Sequence, residues 1–226
     1  VAVTSTLKDF AKPWPVGTSV DCDCVHVPIE PIPVCHLSSV WYPDEVIEAV
    51  DGRTIEYTKE MLKTINPWNI IRKKPKSPGV IGCCLSHLNI YKKLDYSDNA
   101  IYLIFEDDVM FAKNIENPIN YVSNLTFPND WGIIFLNNRF VRDSSPKDVV
   151  PILYNPPIQL TTESYLIKGS CAKELLDFNI NNIGAIDEHI RQYFCNSKFK
   201  QYGVNPPIFK QNLSLGTDIQ TRRIKK

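Results

Sequence analysis

Residues 101–111, IYLIFEDDVMF, run five apolar side chains straight into three carboxylates, Glu106, Asp107 and Asp108, before turning apolar again. Like charges in a row repel, and an ionised carboxylate is costly to bury without a partner. Either the acids face solvent in a turn that caps the next segment, or something positive belongs among them. An acid-x-acid pattern at a strand exit lets residues i and i+2 point into one pocket. There Glu106 and Asp108 can hold a hard divalent cation such as Mg²⁺ or Mn²⁺, and the cation can take up the charge of a diphosphate.

Three other places carry residues able to do chemistry. Asp187-Glu188-His189 follows Gly184-Ala-Ile at an expected helix entrance. Acids there complement the helix dipole, and a carboxylate so held can also serve as a general base. His87 lies on an apolar helical stripe, as a satisfied core histidine would; Ser86-His87 can equally orient a loop or contact a ligand. Asp51-Gly52 is a turn pair, ordinary unless it lies beside a nucleotide. The chain has no Gly-x-x-x-x-Gly-Lys-Ser/Thr loop, no Gly-x-Gly-x-x-Gly fingerprint and no Gly-x-Ser-x-Gly elbow. Readings as a P-loop hydrolase, a dehydrogenase or an α/β-hydrolase lose their usual support.

These residues need elements to position them. Pro13, Pro15, Pro28, Pro31, Pro33 and Pro43 make the first 45 residues irregular, apart from a short strand expected at 24–28. Strands are expected at 45–50, 100–105, 131–136, 151–153, 165–167 and 207–210. Helices are expected at 57–64, from Ser77-Pro78 onward, near 115–125, at 171–177 and at 186–194. Ser77 has the side chain of a cap and Pro78 suits the first helical position. Along that helix Ile81, Leu85, Leu88 and Tyr91 form one stripe, and Cys83, His87, Ile90 and Leu94 a second. Strands alternating with helices predict an α/β sandwich with a mostly parallel central sheet flanked by helices. In such folds ligands bind beyond the carboxyl ends of the strands, where Glu106–Asp108 falls.

The totals fit one domain over residues 1–226. The chain is 43% hydrophobic and 22% charged, and its 25 basic residues balance 25 acidic ones. Nothing in that balance attracts nucleic acid, and basic runs at 71–76 and 222–226 read as solvated loop and tail. No apolar run approaches the roughly 20 residues of a membrane span. Seven cysteines, an odd number, argue against a complete disulfide framework and for a reducing, cytoplasmic setting. A lumenal enzyme of the ER or Golgi whose leader has been removed would read much the same. Cys22-Asp-Cys24 is too tight for the usual zinc spacing.

Taken in order, these pieces resemble glycosyltransferase family 25, which includes lipopolysaccharide and procollagen galactosyltransferases. Ala49-Val-Asp-Gly52 resembles its Ala-Val-Asp-Gly turn, and Gly82-Cys-Cys-Leu-Ser-His87 its Gly-Cys-x-x-Ser-His helix. Ile104-Phe-Glu-Asp-Asp-Val109 resembles its Glu-Asp-Asp strand end. Glu163-Ser-Tyr-Leu-Ile167 with Cys171-Ala-Lys-Glu-Leu-Leu176, the pair Ile186-Asp187, and a closing segment with Gln211 and Asp218-Ile219 are similar too. The resemblance covers about residues 45 to 220.

The resemblance implies a GT-A fold and a metal-dependent, inverting transfer. A sugar, galactose or another hexose or pentose, would pass from a nucleotide-sugar donor, UDP-linked, to a hydroxyl of a glycan or glycoconjugate. Mn²⁺ or Mg²⁺ would be held by Asp108 with Glu106. Asp51, Ser86, His87, Glu106, Asp107, Gln211 and Asp218 would serve the donor, and Asp187, with Glu188 as runner-up, would be the base. The chain departs from the family where it has no Arg before Arg53 and has Val80 in place of a frequent Glu. The alternative is a catalytically silent relative that binds a glycan or a protein partner. A third reading is a nucleotide-sugar hydrolase with the same donor half.

Overall fold

The computed structural model describes residues 2–6, 45–98, 100–112, 127–137, 152–154, 161–212 and 214. The strand expected at 24–28, the helix expected near 115–125, the basic tail and Asp218 lie outside them. Strand β1 (Ala2–Thr6) is followed by β2 (Glu45–Ile47), helix α1 (Lys59–Thr64) and a hairpin of β3 (Ile70–Ile71) and β4 (Lys74–Pro75). Then come α2 (Pro78–Lys93), β5 (Ile101–Glu106), β6 (Val109–Phe111), β7 (Trp131–Phe135) and β8 (Ile152–Tyr154). The chain continues through β9 (Ser164–Lys168), α3 (Gly169–Asn179), α4 (Ile186–Phe194), β10 (Lys200–Asn205) and β11 (Phe209–Gln211).

Seven strands form one sheet in the order β2-β1-β5-β9-β7-β10-β8. The expectation of a mostly parallel sheet is corrected: among the described strands only β7 and β10 pair in parallel. The pairs β1–β2, β1–β5, β5–β9, β7–β9 and β8–β10 are antiparallel. The alternation of strand and helix predicts layers, but the direction of a strand depends on where its connection returns. Strand β9 enters reversed between β5 and β7, which run the same way. The amino end of β9 therefore meets the carboxyl ends of β5 and β7 at one sheet edge.

Strand alternation divides the core between the two faces. Tyr102, Ile104, Ile133, Phe135, Tyr165 and Ile167 pack under α2, α3 and α4 with Ile81, Leu88 and Ile190. Leu103, Ile134 and Leu166 point the other way, towards Phe209 and Val204. Each such fully buried side chain contributes about 1.5–3 kcal/mol. No helix among the described residues is long and apolar enough to cross a membrane.

Helix α2 begins with Pro78 as expected, but Ser77 makes no side-chain cap hydrogen bond. Lys92 and Lys93 in its last turn complement the helix dipole. A glycine inside a helix costs about 1 kcal/mol relative to alanine; at Gly82 a close contact explains it. A Cβ there would lie 2.3 Å from Val50 O, and one on Gly52 would lie 1.7 Å from Pro78 O. The turn after β2 thus rests directly on the helix backbone. Gly52→Ala is expected to cost about 2–3 kcal/mol, read from the midpoint of chemical denaturation. Unchanged stability would refute that contact.

Five described strands escape the sequence pattern, the two short strands of the β3–β4 hairpin among them. Lys200–Asn205 (KQYGVN) alternates at only two apolar positions, Tyr202 and Val204, and is held by β7 and β8 on either side. Val109–Phe111 pairs with Phe209–Gln211 in a separate two-stranded ribbon. Ala2–Thr6 sits between β2 and β5, inside the stretch expected to be irregular.

Candidate functional site

One face of α2 supports the site from below. Ser86, one turn after Gly82, donates its hydroxyl hydrogen to Gly82 O at 2.8 Å and accepts from Val50 N–H at 2.9 Å. Its donor is thereby committed within the fold, fastening the turn that carries Asp51. The Asp51 carboxylate is exposed and accepts from Arg53 Nε and Nη2, each at 2.9 Å. It also accepts from Arg53 N–H, and these bonds hold its pKa below the usual carboxylate value.

His87, next on the helix, is buried. Its Nε2 lies 3.2 Å from Glu106 Oε1, and its Nδ1 lies 2.8 Å from the Tyr165 hydroxyl. Tyr165 is in turn 2.8 Å from the Tyr91 hydroxyl. One set of protons satisfies the whole row: Tyr91 donates to Tyr165, Tyr165 to Nδ1, and Nε2–H to Glu106. Thr162 donates a second bond to Glu106 Oε1 at 2.6 Å, so the carboxylate at the end of β5 is held by two donors from neighbouring elements. Beside it, Asn137 Nδ2 donates to Thr161 Oγ1 at 2.5 Å and to the buried carboxylate of Glu163.

Asp108 stands in the turn between β5 and β6. The ribbon sets Gln211 opposite Val109, from where Gln211 Nε2 donates to Asp108 Oδ2 at 2.6 Å. Asp108 Oδ1 is buried and, among the described residues, has no hydrogen-bond partner. Burial raises the pKa of this carboxyl; the Gln211 bond lowers it in part, and Glu106 and Asp107 push it up again. Asp107, between the two, is exposed.

Asp187 begins α4, where its Oδ1 accepts from Glu188 N–H at 2.8 Å. Burial is the main cause of its raised pKa, and repulsion from Glu188 and Glu106 adds to it. The thiol of Cys83 is raised by burial and then by Glu106, Asp187 and Asp108 among its neighbours. Cys83, Glu106, Asp108 and Asp187 therefore share one electrostatic neighbourhood. Glu188 turns aside, paired with Arg191 at 2.8 Å on a half-exposed helix face. His189 is buried and bonded through Nδ1 to Asn179 Oδ1 at 2.6 Å, a structural contact.

The structure thus gathers Ser86, His87, Glu106, Asp108, Gln211 and Asp187 around one sheet edge and leaves Asp51 and Glu188 in surface ion pairs. Tyr91, Thr162 and Tyr165 were not singled out as site residues from the sequence. For Thr162 the local signal is Thr161-Thr162-Glu163, three polar residues opening an apolar strand, while Tyr165 lies in the family-like Glu163–Ile167 segment and Tyr91 on an apolar helical stripe. In its chemistry the arrangement can hold a cation on carboxylate oxygens and can present a carboxylate to a proton.

The family described as glycosyltransferase family 25 (LPS biosynthesis protein) matches residues 37–190. The procollagen lysyl hydroxylase and glycosyltransferase of Acanthamoeba polyphaga mimivirus is 26% identical over 198 residues, covering 78% of this chain and 22% of that protein. Procollagen galactosyltransferase 1-A of Xenopus laevis is 28% identical, covering 59% of this chain and 23% of its own length. A protein of Rattus norvegicus named probable inactive glycosyltransferase 25 family member 3 is 28% identical, with 74% and 31% covered. The chain thus spans less than a third of the length of each of these relatives. The family match takes in the Asp51-Gly52 turn, the α2 face, the acids after β5 and Asp187, and on that match the chain belongs to glycosyltransferase family 25.

Proposed function

We propose that the chain is the transfer domain of a metal-dependent, inverting glycosyltransferase of GT-A type. It moves a sugar, galactose or another hexose or pentose, from a UDP-linked donor to a hydroxyl of a glycan or glycoconjugate. One observation carries this reading: Asp108 Oδ1 is buried without a hydrogen-bond partner among the described residues, beside a second carboxylate. An orphaned buried carboxylate oxygen is costly, and a cation removes the cost.

Asp108 and Glu106 fit a hard divalent ion, since both offer only carboxylate oxygen, the ligand preferred by Mg²⁺ and Mn²⁺. When bound, such an ion takes up negative charge on the departing nucleoside diphosphate. Gln211 fixes one oxygen of Asp108, while Thr162 and His87 fix Glu106, so neither carboxylate has to be ordered when the donor arrives. Asp187, with one oxygen held by Glu188 N–H, takes the acceptor proton on the other. Its raised pKa brings it nearer the range useful for a base at working pH.

The names of the procollagen galactosyltransferase relatives support galactose as the sugar. A second reading, a silent protein that binds a glycan or a partner, draws support from relatives named inactive. Release of free nucleoside diphosphate from UDP-, GDP- and CMP-linked sugars (CMP itself for the last), with Mn²⁺ or with EDTA, separates the two. The expected result is slow, EDTA-sensitive release of UDP. Silence across the panel, with no thermal shift from UDP plus Mn²⁺, would establish the silent reading instead.

A further inference from the structure

We propose that Cys83, His87 and Glu106 form a second cation site, selective for a borderline-soft divalent ion of the Zn²⁺ class. Cys83 and His87 are four residues apart on α2, which puts their side chains on one helix face. Glu106 reaches them from the end of β5. One ligand atom from each of the three lies within 4.8 Å of the others.

The distances suit a small tetrahedral ion. Ligands about 2.0–2.3 Å from Zn²⁺ lie roughly 3.3–3.8 Å apart around it, and His87 Nε2 is already 3.2 Å from Glu106 Oε1. Small movements of the Cys83 and Glu106 side chains complete the cradle, and both are half-buried, so an ion and a water in the fourth position can enter. One thiolate and one carboxylate balance the charge of a divalent ion, and coordination of the thiol releases one proton to solvent.

The second row of contacts is also that of a metal site. A ligating histidine usually holds its other ring nitrogen in a hydrogen bond that fixes its tautomer. Here Nδ1 meets the Tyr165 hydroxyl at 2.8 Å, and Tyr165 meets Tyr91. Reversing that row, with Nδ1–H donating to Tyr165 and Tyr165 to Tyr91, frees the Nε2 lone pair for the ion at the cost of one hydrogen bond, that of the Tyr91 hydroxyl hydrogen, which the metal bond must exceed. The thiolate ligand gives the selectivity, because sulfur favours Zn²⁺ where an all-oxygen set favours Mg²⁺ or Mn²⁺.

Glu106 belongs to both constellations. An ion at Cys83, His87 and Glu106 withdraws that carboxylate from Asp108, so Zn²⁺ opposes the Mn²⁺-dependent transfer. Only this opposition rests on the proposed transfer activity; the site itself stands without it.

The test uses the reduced full chain with neither donor nor acceptor, so that it is independent of transfer. Cd²⁺ is titrated in, the ultraviolet charge-transfer absorption of thiolate-bound cadmium is followed, and Zn²⁺ is then added as competitor. Wild type and Cys195→Ala are expected to give the same saturating, Zn²⁺-erasable absorption. Cys83→Ala and Cys83→Ser are expected to lose one thiolate's share of it. Full absorption in both Cys83 variants, or none in wild type, overturns the site. A measurement on wild type alone guards against misfolded variants: Zn²⁺ should slow alkylation of Cys83, located by peptide mass. Alkylation of Cys83 at an unchanged rate also overturns the proposal.

Discussion

Asp108→Asn is expected to lower sugar transfer by about 10³-fold or more while leaving the cation-free protein at least as stable as wild type. A bound cation supplies several kcal/mol of charge stabilisation, and about 1.4 kcal/mol corresponds to tenfold in rate. The stability half follows from the site as it stands. Asp108 is half-buried beside Glu106 and Asp107, with one carboxylate oxygen fully buried and its pKa raised chiefly by desolvation. The folded state therefore holds the Asp108 proton more tightly than the unfolded chain does. Between the ordinary carboxylate value and the raised one, the folded form binds more protons, so stability falls as pH rises through that window. Asparagine has no charge to bury, and its amide oxygen can still accept from Gln211. Melting curves against pH should show the Asp108 contribution flattened in the variant. Added Mn²⁺ should raise the melting temperature of wild type by mass action and leave the variant unmoved. An Mn²⁺ shift of wild-type size in the variant would remove Asp108 from the ligand set.

Asp187→Asn should act on a different quantity. General-base removal costs about 10²–10⁴-fold, and here donor binding and the Mn²⁺ thermal shift should survive. Asparagine keeps an oxygen for Glu188 N–H, so the start of α4 is preserved. In wild type, transfer should fall as pH drops through the Asp187 value. That limb lies above the ordinary 3.8 because burial and the neighbouring acids Glu188 and Glu106 favour the protonated form. Glu188→Gln should leave transfer near wild type, since Glu188 is committed to Arg191. Joint loss of donor binding and transfer in Asp187→Asn would mean that the residue positions the donor instead.

The sequence disclosed some of this arrangement and concealed the rest for physical reasons. An apolar run ending in acids is a local signal, and β5 with Glu106 and Asp108 stands where that signal puts it. The helix expected at 186–194 is Ile186–Phe194, because apolar periodicity and first-turn acids agree there. Contacts between distant segments leave no such trace. Gln211 lies 103 residues from the Asp108 it holds, and Tyr165 lies 78 residues from His87. Resemblance pointed to Gln211, but no spacing rule could join it to Asp108. The direction of β9 was likewise invisible, since a strand reads the same whichever way its neighbours run. Strand β10 escapes for the opposite reason: only Tyr202 and Val204 favour a strand, with Gly203 between them, and the flanking strands impose the conformation.

The close approach of Gly52 to α2 has a consequence for descent. Positions 52, 82 and 86 cannot drift one at a time. A side chain at 52 strikes the backbone of Pro78, one at 82 strikes that of Val50, and the Ser86 hydroxyl joins the two segments. Selection for a stable fold alone is enough to retain all three residues, whether or not a lineage still transfers sugar. Asp108 is under the opposite pressure once catalysis is abandoned, because its charge, with one buried oxygen unpartnered among the described residues, costs the empty fold stability. Among descendants of this fold, the two glycines and the serine record ancestry, and the acid at 108 records whether the work continues.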